Sequence, residues 1–137
     1  MSNLNLEAQI MAECLAYSLD RGRHYRRACH YILRKVINAG AEGVEIRISW
    51  NFSSQGAIAL RFKLDKRNRN DQEVQEYFNR GITKCTNEPV IIDVIIESLP
   101  QNNENSKYQQ AQQSEDYDIK EEFVPVSEEE KKLLDEV

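Results

Sequence analysis

The chain has 137 residues, 40% of them apolar, and a net charge of −5, which fits one domain with an appendage. No apolar run approaches the roughly 20 residues of a membrane helix, and the N-terminus has neither a secretory signal nor an Arg- and Ser-rich presequence. Cys14, Cys29 and Cys85 are too widely spaced for a zinc site and read as buried reduced thiols. The charge is unevenly placed: residues 1–20 carry −3, 21–70 carry +9, 71–98 carry −4 and 99–137 carry −7. A basic middle beside an acidic tail implies a polyanion met by one face of the protein.

From Leu6 to Leu19 the apolar positions are Leu6, Ile10, Met11, Cys14, Leu15 and Leu19, the spacing of one helical stripe. Asn5 is placed to cap this helix and Gly22 to end it. A second helix is predicted over about 24–39, with Tyr25, Cys29, Ile32, Leu33, Val36 and Ile37 inward and Gly40 as the stop. Between the two lies the cluster Arg21, Arg23, His24, Arg26 and Arg27. At a helix–helix joint such side chains reach outward, where they can meet phosphate. A solvated turn accounts for the same charges.

Val44, Ile46 and Ile48 alternate with Glu45, Arg47 and Ser49, the pattern of a strand with one wet face. Residues 57–64 repeat the alternation across a short polar loop, so a hairpin is expected. Residues 73–85 are ambiguous: Val74, Tyr77, Phe78 and Ile82 have helical spacing, but Gly81 and Thr83 weaken it. Val90–Ile96 is a strand, with Asp93 its one charged residue. Residues 100–114 are rich in Asn, Gln and Ser and cannot bury enough surface to fold alone. Phe123, Val124 and Val126 form an apolar knot around Pro125, and Ser127 and Glu130 have capping-box spacing for a short terminal helix. Residues 99–137 thus read as an acidic arm appended to a domain of residues 1–98. The arm is expected to be unstructured alone and to order where it docks on a basic partner protein.

The residues resemble a known family. Leu4–Asn5–Leu6–Glu7–Ala8–Gln9, Met11–Ala12–Glu13, Leu19–Asp20–Arg21–Gly22 and Tyr25–Arg26–Arg27–Ala28 are similar to the second domain of small-subunit ribosomal protein S-three. Asn38–Ala39–Gly40–Ala41–Glu42–Gly43–Val44–Glu45–Ile46–Arg47–Ile48–Ser49 and Glu88–Pro89–Val90–Ile91–Ile92–Asp93–Val94 continue the likeness in order. The resemblance implies an α+β fold of two layers. Two N-terminal helices pack on a four-stranded mixed or antiparallel sheet, with residues 73–85 largely strand beside Val90–Ile96. It implies a structural constituent of the small-subunit head, near the messenger RNA entrance, with ribosomal and messenger RNA as partners. The family's paired arginines match Arg26 and Arg27, Arg21 also matches, and a family lysine appears as His30. The expected RNA-binding set is Arg21, Arg23, Arg26, Arg27, His30 and Arg34.

Two departures from the family carry expectations of their own. The family's KH domain is not seen in this sequence, so a separate KH-bearing fragment, or neighbouring small-subunit proteins in its place, is expected. The family's basic loop is replaced by residues 50–55, where Trp50 and Phe52 can stack on a base or equally pack on a neighbouring protein; both are read as partner contacts, with Phe123, Val124 and Val126 a second set. A fragmented, acidic member points to a mitochondrial ribosome; Leu19–Ala28 and Glu88–Ile92 look more like archaeal and cytosolic members. A protein-interaction module that kept the fold but left the ribosome is the alternative. No carboxylate pair, nucleophile with a base or glycine-rich phosphate loop suggests an enzyme, a cofactor or a metal.

Overall fold

Helices α1 (Ala8–Asp20) and α2 (Tyr25–Asn38) form where apolar residues recur every three or four positions. They come from a computed structural model, which describes residues 4–52, 56–65, 77–87, 89–98 and 118–135. Gly22 and Gly40 adopt φ of +84° and +113°, the left-handed conformation that stops a helix, as expected. At the first stop the Arg23 N–H donates to Ser18 O at 3.1 Å and closes the end of α1.

The start of α1 differs from expectation. Leu4–Leu6 form a short 3-10 turn, and Asn5 lies within that turn, with Glu7 rather than Asn5 at the cap position. The Ala8 N–H instead donates to Asn79 Oδ1 at 2.8 Å, a side chain brought by the sheet. The helix is pressed against the strand there, so the strand supplies the acceptor. Cys29 and Cys85 are buried as expected, whereas Cys14 is exposed. Its position lies just off the stripe of Ala8, Met11, Ala12, Leu15 and Ala16 that α1 buries.

The sheet has five strands: β1 (Gly43–Phe52), β2 (Gly56–Asp65), β3 (Tyr77–Lys84), β4 (Val90–Ser98) and β5 (Lys120–Val124). Their order is β3-β4-β1-β2-β5, and every neighbouring pair is antiparallel. Ile46 lies between Phe62 and Val94, and Ile48 between Leu60 and Ile92. These rows face the two helices and form the core with Met11, Leu15, Leu33, Val36 and Ile37. The ambiguous stretch is strand β3 over residues 77–84, as the resemblance implies. Gly81 explains its weak pattern. A Cβ there would come within 2.2 Å of Gln9 N, so α1 crosses the strand where no side chain stands. Gln9 then donates to Ile82 O at 3.0 Å and accepts from its N–H at 3.1 Å, covering an edge that would otherwise be open.

The α+β class stands, with the helices on the sheet. Its sheet is antiparallel and has a fifth strand where four were expected. Residues 120–124 of the acidic arm pair with the outer edge of β2, Phe123 beside Leu60 and Glu121 beside Phe62. Helix α3 (Glu128–Asp135) lies against β4 and β1. Its Glu130 reaches Arg47 at 3.2 Å and its Glu129 reaches Arg80 at 2.7 Å. Arg47 alternates with the core residues Ile46 and Ile48, so α3 covers the face opposite α1 and α2. The arm's end therefore docks on the domain's own sheet rather than awaiting a partner. Strand pairing with β2 and the buried Leu134 hold it, and charge adds to this: Arg26, Arg47, Arg61 and Arg80 of the domain pair with Glu121, Glu130, Glu122 and Glu129. The Asn- and Gln-rich stretch of residues 100–114 lies outside the described residues.

Ser127 and Glu130 form the expected capping box. The Ser127 N–H donates to Glu130 Oε1 at 2.9 Å, and the Glu130 N–H to Ser127 Oγ at 3.1 Å. Asp93, the charge inside β4, is 2% exposed and takes a two-point contact from Arg80 at 3.0 and 2.8 Å.

Candidate nucleic-acid interface

The joint between α1 and α2 is fixed from below. The Asp20 carboxylate, in the last turn of α1, accepts the N–H groups of Thr86 and Asn87 at 3.0–3.1 Å. The Asn87 side chain returns a bond to Asp20 O at 2.9 Å. The two backbone donors hold the Asp20 carboxyl below the ordinary carboxylate range. This ties the joint to the turn between β3 and β4, so the basic residues project from a fixed base.

Tyr25 opens α2 half-buried, its ring edge-on to Phe62 at 6.4 Å. His24 stacks on Tyr25 at 5.0 Å, and His30 meets Phe62 edge-on at 5.8 Å. From this aromatic base the opposite side of α2 turns outward. His24, Arg26, Arg27, His30, Tyr31 and Arg34 line one shallow open groove of about 510 Å³. Of the six RNA-binding residues expected, the structure brings together Arg26, Arg27, His30 and Arg34. Arg21 stands apart, its guanidinium 5.3 Å over the Tyr17 ring and bonded to the Tyr17 hydroxyl at 2.7 Å. Arg23 borders a second groove of about 650 Å³ with Leu19, Tyr25, Trp50 and Pro89.

His30 is held toward its neutral form. Burial, then the charge of Arg34, hold its imidazole below its usual value, Arg26 adding to this and Glu121 opposing it. It offers hydrogen bonding, and the charge of the groove comes from the arginines. Arg26 makes a two-point contact with Glu121, Nε to Oε1 at 2.8 Å and one terminal nitrogen to Oε2 at 3.2 Å. Arg23, Arg27 and Arg34 make no ion pair among the described residues. A guanidinium fork matches phosphate oxygens, and an exposed aromatic gives a base a face to stack on. Tyr31, 63% exposed, is such a face, with Lys35 5.6 Å above its ring. Sequence reasoning missed Tyr31 and the seat of His24. The available signal was a large aromatic four residues after Arg27, on the polar side of the helix.

The five residues expected to touch partners are scattered. Trp50 is half-buried against the core in the second groove, and the side chain of Phe52 lies outside the described residues. Phe123 is 66% exposed, while Val124 and Val126 are half-buried. Among the described residues no three of His, Cys, Asp and Glu gather as a metal site, and no helix is long and apolar enough to cross a membrane.

The chain is similar to curated proteins of one name. It is 32% identical over 99 residues to small ribosomal subunit protein uS3 of Methanocaldococcus jannaschii, covering 72% of this chain and 48% of that protein. It is 33% identical over 94 residues to small ribosomal subunit protein uS3 of Saccharolobus solfataricus, covering 69% and 41%. Against the protein of the same name from Sulfurisphaera tokodaii it is 42% identical over 57 residues, covering 42% and 25%. The chain thus spans about half the length, or less, of these curated relatives. No family model matches it.

Proposed function

We propose, from the premise that this chain is a relative of small ribosomal subunit protein uS3 matching part of that protein, that it is a structural component of a small ribosomal subunit. It contacts RNA through the groove on α2, with no catalysis of its own. The observation that carries this is the outward cluster of Arg26, Arg27 and Arg34 beside an exposed Tyr31. Arginine forks supply sequence-independent phosphate contacts, and the tyrosine supplies stacking. In this reading the helix lies near the messenger RNA entrance of the subunit head, with ribosomal RNA and neighbouring small-subunit proteins around it. The relatives named above are archaeal; the ribosome we propose is a mitochondrial one, with a cytoplasmic one as the alternative.

Sedimentation of the tagged chain tests the assignment. Co-migration with small subunits at moderate salt is expected, and absence from them at every salt concentration would overturn it. The same subunits, searched by mass spectrometry, test for a separate KH-bearing chain. R26A with R27A should weaken the subunit's hold on structured messenger RNA while subunit yield stays normal. Each lost phosphate contact should flatten the salt dependence of RNA binding by about one unit of slope. Unchanged unwinding of a downstream hairpin in a translation assay would count against the groove.

A further inference from the structure

The acidic C-terminal segment has two parts that differ in how firmly they are held. Helix α3 is anchored on the rear face of the sheet, with Glu130 fully buried against Arg47 and Leu134 5% exposed. Strand β5 is five residues long, and four of the five are exposed. It lies at the sheet edge, where a strand has one neighbour only. From that strand Glu121, in register with Phe62, points to the helix side of the sheet. It there meets Arg26 across 95 residues of sequence, two carboxylate oxygens against two guanidinium nitrogens at 2.8 and 3.2 Å. That is the geometry in which a guanidinium takes two phosphate oxygens.

We propose that Glu121 is a built-in competitor for the RNA groove: it occupies the phosphate seat on Arg26, and RNA must displace it to engage the full arginine cluster. This deepens the RNA reading above and rests on it. The exchange is reversible because its two halves are mechanically separate. Opening the Arg26–Glu121 contact leaves α3 docked on the other face, so the carboxylate stays tethered beside its seat at high effective concentration. An exposed ion pair is weak, so the competition tunes affinity rather than blocking the groove.

The test is anisotropy of a fluorescein-labelled oligouridylate with the full chain at low salt. Five variants are compared with the parent: E121Q, E128Q, R26A, R26A/E121Q and R26A/R27A. Glu128 is exposed on α3 and makes the same change of net charge away from the groove. E121Q should bind roughly three-fold tighter than the parent, the size expected for losing one exposed competing pair, and E128Q should change little. On the R26A background E121Q should add nothing. Equal gains for E121Q and E128Q would reduce the effect to net charge and overturn the proposal. A gain from E121Q that persists without Arg26 would overturn it too. If R26A/R27A binds as well as the parent, the RNA reading itself fails, and the competitor with it.

Discussion

Glu130 links the tail to the domain, and its removal should show how much that docking contributes. Its side chain is fully buried, accepts the Ser127 N–H and lies 3.2 Å from Arg47 Nε. E130A removes half of the capping box, a loss of about 1 kcal/mol. It also leaves Arg47, whose side chain is 19% exposed, without its carboxylate. Arg47 keeps the Pro125 carbonyl as an acceptor, so the full cost of an orphaned buried charge is not reached. An unmet buried polar group costs about 1–3 kcal/mol, and the two effects together come to about 3 kcal/mol. At roughly 4 °C per kcal/mol for a domain of this size, the thermal midpoint should fall by about 12 °C. There is a ceiling: once the loss exceeds the docking energy of α3, the segment detaches and the midpoint falls no further. E130Q keeps an oxygen for Ser127 and nearly the same volume, so it should fall between E130A and the parent. Amide exchange at Lys131, whose N–H donates to Ser127 O at 2.9 Å, should quicken most in E130A. If E130A and E130Q match the parent in midpoint and in that exchange rate, the anchor assigned to Glu130 is wrong.

Three further outcomes follow from the geometry. G81A would place a Cβ 2.2 Å from Gln9 N and 2.3 Å from Gln9 Cα, backbone atoms that cannot yield without lifting α1. The urea midpoint should drop by the equivalent of about 1–3 kcal/mol or more, and an unchanged midpoint would sink the close-crossing argument. His30 is held below its usual value in the fold, so below about pH 6.5 the unfolded chain binds the extra proton more readily. Stability should therefore decline as pH falls through that region, and H30Q should flatten the decline in a pH series of denaturant melts. Asp20 is held low by the Thr86 and Asn87 N–H groups, so its contribution is present above the ordinary carboxylate range and lost as pH falls through its folded value. D20N should blunt the acid limb of the same series, and amide exchange at Thr86 should quicken; no change in either would refute the clamp.

Much of the layered fold was legible because its core is periodic. The inward rows Val44, Ile46, Ile48 and Leu60, Phe62, Leu64 follow the period of a strand, and the α2 stripe follows that of a helix. The stops at Gly22 and Gly40 and the box at Ser127–Glu130 were legible because they are local. What escaped was the contact made across the chain. The cap of α1 comes from Asn79, 71 residues away, and no pattern near Asn5 announces it. Residues 77–84 looked uncertain because Gly81 serves the helix that crosses it rather than the strand that contains it. In the groove, the arginines were visible as a charge cluster, whereas the downward shift of His30 depends on its burial beside Phe62 and on Arg34.

The tail shows the same limit in electrostatic form, and it changes what the charge distribution means. Read along the sequence, a segment of −7 calls for a basic partner elsewhere. In the fold, Glu121, Glu122, Glu129 and Glu130 each meet an arginine of the same chain, at Arg26, Arg61, Arg80 and Arg47. Arg61 and Arg47 sit opposite each other on neighbouring strands, where two like charges repel. Glu122 and Glu130 neutralise that pair from β5 and α3. The rear face of the sheet is thereby compensated internally, and only one of the four contacts, Arg26–Glu121, belongs to the helix side. Among the described residues, the arginines left without an ion pair are Arg21, Arg23, Arg27 and Arg34, along the joint and α2. An acidic tail on a domain proposed to contact RNA is thus no contradiction: it removes positive charge from the sheet and leaves it on the helix that would meet phosphate.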